Sequence, residues 1–517
     1  MQADMILYNG NFLTLNEKAP TASALAVKDG KIIQVGSNDD IKPHQGEETK
    51  VIDLHGKTAV PGFIDSHIHL ISLGLDMQVI DLCGITTKES LLSRLEAAIR
   101  DTPSGNWVKG YGFDETHMDE LPDIMELDSV SPENPVYLES LDYLTCIVNS
   151  KSMAKVDMHP RKGVTMDTFR NSGEPTGVIR VEDEKLLYQV ANVPTLDPVD
   201  PDLPESELEH SIEIASKKVL ESGITSIHDP QLPPNALRAF MNAVRGGRTP
   251  LRLYLGCDRN RDIPLERYIQ EGIGTEPIQD LLKLGMVKLF ADDRMSVREF
   301  RARVKESHQA GLQLSIHATN INETRNAIEA LEEVLEDTPR HNHRHRIEHA
   351  DNIDEDILER ARKIGLVVAA QPEIVYKLEP KYPQDVMKVA YNSMISAGIN
   401  VSGGSDSPTV PIKRRARPPL AYSTPLLGMA FAVIRRTKNG SIIDKDESVS
   451  VLESLKIHTV NGAYASFEED HKGTLEVGKL ADLAILTENP LTVEPEQIKD
   501  IRVEMTIIGG EIVYAKE

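Results

Sequence analysis

The sequence is short of features that mark several classes of protein. Its 517 residues include three cysteines, at positions 83, 146 and 257, and no two of them form a CxxC pair. A disulfide framework is therefore not expected, and a reducing compartment fits the composition. Aromatic residues make up only 4% and charged residues 27%, which is typical of a globular chain poor in rings. The length allows a large core and more than one domain.

Long apolar runs are also missing. No run approaches the roughly 20 residues that a membrane-spanning helix needs. The N-terminal stretch MQADMILYNG has neither the basic segment nor the apolar segment of a signal peptide. From these absences we expect a soluble, cytoplasmic protein that has no membrane partner.

Basic residues are outnumbered, with 57 Lys and Arg against 81 Asp and Glu and a formal net charge of −24. Nucleic acids and anionic membranes are poor partners for such a chain, because both bind to positively charged protein surfaces. A small-molecule substrate is the partner that this composition leaves open. A homodimer is the expected assembly only because it is the commonest one for large soluble enzymes.

Both ends of the chain consist of short apolar runs separated by tight turns. Residues 1–58 contain Asn-Gly and Asp-Gly pairs at positions 9–10 and 29–30, which are hairpin signals. Residues 473–517 show the same pattern of short apolar runs and turns. Neither end is large enough to bury a two-layer core by itself. We predict that the two ends form one small composite β-sandwich.

The middle of the chain, residues 59–472, alternates short apolar runs with helical stretches, which is typical of an α/β fold built from βα units. Eight runs are present, the number that a (β/α)8 TIM-type barrel requires. They cover residues 59–70, 223–228, 251–255, 286–290, 312–317, 345–349, 366–370 and 399–406. The gap after the first run is too long for one connection. Residues 71–222 are therefore predicted to form an insertion subdomain that caps the active site.

The first run ends in His67-x-His69. In a β-strand, residues i and i+2 share a face, so both imidazoles could reach one point. Two neutral imidazoles suit a divalent metal such as zinc. A surface strand that carries two histidines by chance would have the same pattern. The metal reading gains support because later runs also end in ligand-type residues.

Four such residues lie at or near the ends of later runs: Lys288, His317, His349 and Asp406. The C-terminal ends of barrel strands meet at one mouth, where functional barrels carry their sites. Lys288 has apolar neighbours, and a buried ammonium is costly. It could snorkel towards water, or it could be carbamylated by carbon dioxide and bridge two metals.

Asp406 ends the last run and is placed to bind a metal together with the attacking water. A bound metal lowers the pKa of water towards about 7. Asp406 would accept the proton as a general base and pass it to the leaving nitrogen as a general acid.

In this order the motifs resemble the amidohydrolase superfamily, in the branch that includes N-substituted formamide deformylases. The resemblance runs almost end to end. It rests on VPGFIDSHIHL, WVKGYGFDE, PVYLES, VNSKSM, EPTGVIR, VKLFADD, LSIHA, HRHRIEHA, VSGGSDSP, TVNGAYAS and GTLEVGKLADLAIL. It implies a (β/α)8 barrel with a composite β-sandwich, and metal-dependent hydrolysis of a non-peptide C–N bond in an amide, formamide or cyclic amide.

The resemblance also implies one or two divalent metals per chain, with Zn²⁺ as the first candidate. The six implied ligands form two sites and a bridge: His67, His69 and Asp406 in the first site, His317 and His349 in the second, and Lys288 as the bridge.

The chain departs from that branch near the predicted mouth. Residues 293–296, Asp-Arg-Met-Ser, stand where a Gly and a Ser-Leu-Gly-Ser loop are usual. Residues 317–321 lack the acid of the usual HAIGD motif, and Leu144 stands where a histidine is frequent. These changes spare the six ligands and alter the mouth, so they bear on the class of substrate.

Five further residues are candidate substrate contacts: Trp107, Tyr111, Asp114, His228 and Asp292. The first three could equally pack within the insertion. The cluster of His341, His343 and His345 is predicted to consist of surface histidines. Arg346 and Glu348 are predicted to point away from the barrel axis and to form structural pairs.

Other reactions stay open. A mononuclear deaminase of an aminated heterocycle shares the HxH motif, the later histidines and a late aspartate. Such enzymes usually carry a glutamate three residues after the third histidine, where this chain has Asn320, and they need no counterpart of Lys288. An isomerase or decarboxylase could use the same metal, whereas a scaffold that has lost its metal would typically lack several ligands.

Overall fold

The computed structural model describes residues 1–100, 102–142, 144–154, 162–182, 203–274, 280–377, 389–408, 422 and 424–516. The chain divides into two compact units: a larger one of residues 1–70, 212–409 and 422–517, and a smaller one of residues 71–211 and 410–421. None of the helices in these described segments is both long enough and apolar enough to cross a bilayer.

The larger unit contains an eight-stranded parallel sheet with helices between its strands, which confirms the predicted (β/α)8 barrel. Its strands are β1 (Phe63–Asp65), β2 (Ile224–Leu232), β3 (Arg252–Asp258), β4 (Leu282–Phe290), β5 (Gln313–Ala318), β6 (Arg346–His349), β7 (Val367–Ala370) and β8 (Asn400–Gly403). Consecutive strands are neighbours in the sheet. The Ser66 amide donates a 2.9 Å hydrogen bond to the Gly403 carbonyl, so the first strand meets the last.

The first predicted run covers three different elements. Thr58–Pro61 is a strand of the chain-end sheets, Phe63–Asp65 is β1, and the helix Leu70–Met77 begins directly after the HxH motif. Gly62 permits the change of sheet, because a Cβ there would lie 2.2 Å from Thr225 Oγ1. The two histidines of the motif therefore lie beyond β1, and strand alternation does not explain how they reach one point.

The helix Asn38–Ile41 precedes the barrel strands, and Glu205–Leu220 begins in the smaller unit and ends in the larger one. The other helices of the larger unit lie between or after the barrel strands. The α-helices are Asn38–Ile41, Glu205–Leu220, Pro234–Arg245, Leu265–Gln270, Val297–Gln309, Ile321–Asp337, Glu355–Ile364, Pro372–Lys377, Tyr391–Ser396, Pro425–Ile434, Val451–Ile457 and Val460–Ala465. Lys42–His44, Lys445–Glu447 and Pro495–Asp500 are 3₁₀ turns. Side-chain caps set where several helices begin. Ser296 and Asn320, for example, accept hydrogen bonds from first-turn amides, a contact worth about 1 kcal/mol.

Strands from both chain ends form two more sheets in the larger unit. One has the order Lys31–Gly36, Ala24–Lys28, Met5–Tyr8 and Lys50–Asp53; the other has the order Glu511–Ala515, Val503–Ile508, Leu483–Leu486, Thr58–Pro61, Asn11–Leu13 and Thr21–Ala22. Their shared core includes Leu7, Phe12 and Leu483. A buried ion pair ties these sheets to the barrel, because Arg252 Nε on β3 lies 2.5 Å from Asp482 Oδ2.

The smaller unit has its own sheet and apolar core. The strand order is Val164–Thr168, Pro175–Val181, Thr145–Val148, Val136–Ser140, Val108–Phe113 and Ile80–Asp81. Its helices include Lys88–Arg100, Ile124–Val130 and Ser150–Met153. Leu91, Leu95, Phe113 and Leu138 are fully buried members of the core, which shows that this part of the chain packs around a centre of its own.

Candidate active site

Three predicted ligands converge where β1 meets β8. His67 Nε2 lies 3.4 Å and His69 Nε2 lies 3.2 Å from Asp406 Oδ1. One donor atom from each of the three lies within 4.8 Å of the other two. Within the described residues, no other group of three His, Cys, Asp or Glu side chains meets that spacing. Imidazole nitrogens and a carboxylate oxygen at one point form a donor set that suits zinc.

Backbone hydrogen bonds hold these side chains in place. The Asp406 amide donates to the His67 carbonyl at 2.7 Å, and the His69 amide donates to the Ser407 carbonyl at 2.9 Å. Asp406 has a φ of +48°, a conformation that costs a non-glycine residue about 1 kcal/mol or more. Gly404 allows the close approach, because a Cβ there would lie 2.4 Å from the His67 nitrogen. The two strand ends therefore interlock around the three donors.

Glu348 orients His67, a role that the sequence analysis missed. Glu348 Oε2 lies 2.5 Å from His67 Nδ1, and both side chains are fully buried. The carboxylate keeps a proton on Nδ1, so the lone pair is on Nε2, the tautomer that a metal ligand needs. In the described part of the structure Nε2 has no hydrogen-bond partner. A buried acceptor in this state fits a cation.

The predicted orientation of Arg346 and Glu348 is wrong. The two residues do pair with each other, but they lie inside the barrel. Arg346 donates to the Ser66 carbonyl at 2.6 Å, and its Nη1 lies 3.1 Å from His228 Nδ1 on β2. His349, the next residue after Glu348, has a φ of +76°, so the regular alternation of side chains along a strand does not hold there.

The two remaining histidines that were predicted as metal ligands lie side by side. The ring centroids of His317 and His349 are 4.4 Å apart, and that of His349 is 5.2 Å from His67. Gln371 Oε1 lies 2.7 Å from His349 Nδ1, and Gln371 Nε2 donates to the Ala369 carbonyl at 2.8 Å. The fixed amide leaves His349 Nε2 available to a metal. Sequence reasoning missed Gln371 as well, and its place just beyond β7 was the one available signal.

Lys288 is buried on β4, with only 1% of its surface exposed. A snorkelling side chain would reach water, so the structure contradicts that alternative. Burial lowers the pKa of the ammonium to about 8, against the raising effect of Glu348 and Asp406. A lysine with this pKa is partly neutral near pH 7, and the neutral amine is the form that reacts with carbon dioxide.

Burial also keeps most of the imidazoles neutral. It lowers the pKa of His67 to about 3 and holds the pKa values of His317 and His349 below their usual range, with Lys288 adding to the effect. Burial raises the pKa of Asp406, but the surrounding imidazoles outweigh that effect and hold it well below the usual range. Neutral imidazoles beside an ionised carboxylate are the protonation states that bind a divalent cation.

His69 differs from the other histidines, and the difference predicts a pH dependence. Burial lowers its pKa, but the nearby carboxylates of Asp229 and Asp406 raise it to about 9. At pH 7 the metal-free protein therefore holds a proton that a metal must displace. We expect the affinity for Zn²⁺ to rise about tenfold per pH unit up to about pH 9 and then to level off. Competition between chelator-treated protein and a zinc indicator would measure it, and a flat profile from pH 7 to 9 would contradict the raised pKa.

Three candidate substrate contacts lie in the smaller unit. Trp107 packs in an apolar cluster that includes Tyr137, and the Tyr111 hydroxyl lies 3.3 Å from the Leu141 carbonyl oxygen. Asp114 accepts a hydrogen bond from Thr116 within its own turn. These contacts lie within that unit.

The other two candidates lie in the larger unit. His228 is fully buried on β2, with its ring centroid 5.4 Å from that of Tyr254. Asp292 follows β4, and its Oδ2 lies 2.9 Å from Arg294 Nε. The structure thus brings Asp292 to the end of a barrel strand and places His228 within the barrel, beside Arg346.

The prediction of a surface histidine cluster is wrong for two of its three members. His341 is exposed, but His343 and His345 are 3% and 0% exposed. His345 Nδ1 accepts a hydrogen bond from the Leu314 amide, and its Nε2 lies 2.7 Å from His308 Nδ1. Both of the buried rings in the cluster are engaged in contacts within the protein beside β5 and β6, although their neighbours in sequence, Asn342, Arg344 and Arg346, are polar.

A barrel whose first and last strands bring two imidazoles and a carboxylate together defines a class of metal-dependent hydrolases. The chain matches the model of the amidohydrolase family over residues 50–514. It is 28% identical to the putative amidohydrolase YtcJ of Bacillus subtilis strain 168, across 99% of both chains. It is 26% identical to the N-substituted formamide deformylase of Arthrobacter pascens, across 99% of this chain and 98% of the relative.

A solved structure agrees with the fold. The crystal structure of an uncharacterized metal-dependent hydrolase from Pyrococcus furiosus has a TM-score of 0.72 at 23% identity, covering 94% of this chain and 100% of the other. The chain therefore belongs to the amidohydrolase family, which confirms the resemblance, and it is a hydrolase that acts on carbon–nitrogen bonds.

Proposed function

We propose that the protein hydrolyses a non-peptide C–N bond in a small amide, formamide or cyclic amide, using one or two divalent metals at the barrel mouth. The proposal rests on the hydrogen bonding of the two His67 ring nitrogens. Glu348 holds Nδ1, and the buried Nε2 next to Asp406 has no hydrogen-bond partner within the described residues. An unsatisfied buried acceptor costs about 1–3 kcal/mol, a cost that a bound cation would remove. Similarity to the formamide deformylase supports the formamide class.

Six residues would hold the metals: His67, His69 and Asp406 the first, His317 and His349 the second, with carbamylated Lys288 between them. Zn²⁺ is the first candidate because it prefers imidazole and carboxylate donors. A bound divalent metal makes water nucleophilic at neutral pH. Asp406, which its neighbours keep ionised, would take the proton of the attacking water and deliver it to the leaving nitrogen.

Carbamylation would turn Lys288 from a repulsive neighbour of the metals into a ligand. The neutral Nζ attacks the carbon of carbon dioxide, forms an N–C bond and loses one proton to water. The product carries one negative charge where the ammonium carried one positive charge. An uncharged amine is needed for this step, and burial supplies it by lowering the pKa of Lys288 to about 8.

Metal content tests the bridge. Protein purified without chelator is expected to hold about two metals per chain, and Lys288→Met about one or fewer, with most activity lost. Lys283→Met is the matched control. Lys283 lies on the same strand and its Nζ donates to the Ser466 carbonyl at 2.8 Å, outside the metal-ligand cluster. One metal in the wild type, unchanged in Lys288→Met, would contradict the bridge.

The products distinguish the reactions. Metal-loaded protein is expected to release formate from N-substituted formamides, or a carboxylic acid from small or cyclic amides. A deaminase would instead release ammonia from an aminated heterocycle. That alternative has less support, because Asn320 supplies no carboxylate and its side chain caps the helix Ile321–Asp337. Failure to cleave any amide, combined with ammonia release, would overturn the proposal.

A further inference from the structure

The segment that follows β4 places a guanidinium beside the proposed second metal site. Arg294 Cζ lies 3.8 Å from the centre of the Phe290 ring. That ring lies 4.5 Å from the His317 ring centre, with an angle of 31° between the planes. Arg294 Cζ is therefore no farther from the His317 ring centre than these two distances combined. A small substrate could span that separation.

Local contacts hold the segment in this position. The Ala291 amide donates to the His317 carbonyl at 3.1 Å, and Asn326 Nδ2 donates to the Ala291 carbonyl at 3.1 Å. The Arg294 amide then donates to Asp292 Oδ1 at 3.1 Å, a side-chain turn of the kind that Asp commonly forms. The arginine is thus presented by an anchored turn.

The guanidinium is only partly engaged. Its Nε lies 2.9 Å from Asp292 Oδ2, and 54% of the side chain is exposed. Guanidinium has five donors and can bind a carboxylate through two parallel hydrogen bonds. The whole chain carries a formal net charge of −24, which repels anions in general. A fixed cation close to the metal ligands is therefore able to decide whether an anionic substrate is accepted.

We infer that Arg294 selects substrates that carry a carboxylate near the C–N bond to be cleaved. The substrate class is a small N-formyl or N-acyl compound with a free carboxylate, bound with its amide at the metal ligands and its carboxylate at Arg294. The inference rests on the proposed function, since it names the substrate class of the same site. Arg294 acts on specificity, and the proton transfers stay with Asp406.

Two substrates that differ only in the carboxylate test the inference: N-formylphenylalanine and N-formylphenethylamine. The measured quantity is the ratio of their kcat/KM values with zinc-loaded, full-length protein. Arg294→Met keeps an apolar contact with Phe290 and removes the charge, and it is expected to lower the ratio about ten- to hundredfold, mainly through KM. Arg294→Lys keeps the charge but lacks the planar guanidinium group, and its ratio is expected to lie between those of Arg294→Met and the wild type.

Arg298→Met is the matched control, because Arg298 is an exposed arginine in the helix Val297–Gln309 and its loss changes the net charge equally. It is expected to leave the ratio unchanged. An unchanged ratio in Arg294→Met, or an equal fall in Arg298→Met, would overturn the inference.

Binding separates this inference from the proposed function. If neither formamide is cleaved, the formamide class of the proposed function fails, and calorimetry with the same two compounds still tests Arg294. Tighter binding of N-formylphenylalanine in the wild type, lost in Arg294→Met, would support the carboxylate contact. Equal binding of both compounds to both proteins would overturn it.

Discussion

Asp406→Asn is expected to reduce hydrolysis by at least about a thousandfold, because it removes the carboxylate proposed to act as general base and as metal ligand. The asparagine keeps the shape of the side chain. The backbone amide of residue 406, which donates to the His67 carbonyl at 2.7 Å, is also unchanged. The fold should therefore survive. The anionic oxygen beside the Nε2 atoms of His67 and His69 is lost. Steady-state kinetics on zinc-loaded protein would measure the loss, which should appear in kcat.

Asp351→Asn is the control for Asp406→Asn. Asp351 is also buried, and burial, with a contribution from Asp406, raises its pKa to about 8. At pH 7 it is mostly protonated, so asparagine replaces one neutral group by another. We expect a far smaller loss of activity than in Asp406→Asn. Equal losses in the two variants would contradict the special role of the ionised carboxylate.

Glu348→Ala is expected to lower both stability and metal affinity. Glu348 contacts His67 Nδ1, the Ser315 hydroxyl and the Arg346 guanidinium within the barrel. Its removal leaves Arg346 fully buried without its counter-ion, and breaking such a pair costs about 3–5 kcal/mol of unfolding free energy. It also frees the His67 ring, and losing a partner of this kind lowers metal affinity about 10–100-fold. Chemical denaturation and zinc competition would measure the two effects separately.

Two milder variants separate orientation of His67 from general loosening of the barrel. Glu348→Gln keeps an acceptor for His67 but loses the charge that faces Arg346. Ser315→Ala removes a 2.5 Å hydrogen bond to Glu348 and leaves the carboxylate, so it should cost about 1 kcal/mol of stability and preserve zinc affinity. If Ser315→Ala weakened zinc binding as much as Glu348→Ala, the orienting role of Glu348 would be wrong.

The barrel strands could be predicted from the sequence because they are local patterns. Each of the eight predicted runs overlaps one of the strands β1 to β8, and three of these strands, β1, β3 and β6, end in a polar side chain. The route to His67 and His69 was different from the one expected. They lie beyond β1, and the carbonyl and amide groups of residues 403–407 position them. Contacts between segments so far apart in the chain produce no recognisable pattern in the local sequence.

The residues that orient the ligands were harder to predict. Glu348 was predicted to point away from the barrel axis, and the positive φ of the adjacent His349 interrupts the strand alternation that sets side-chain direction. Gln371 lies just beyond β7 and Asp229 lies within β2, and the roles of these two polar residues depend on His349 and His69. One signal was available, since charged residues within a buried strand need partners and Glu348 lies in such a strand.

The meeting of β1 and β8 also sets an order of assembly. The Ser405 amide donates to Asp65 Oδ1 across 340 positions of sequence, and the Asp406 amide reaches the His67 carbonyl across the same junction. A growing chain that has completed β7 contains both imidazoles but neither the carboxylate nor the strand that receives them. The three donors come together only as the barrel closes. Closure of the barrel and assembly of the three candidate metal ligands therefore coincide.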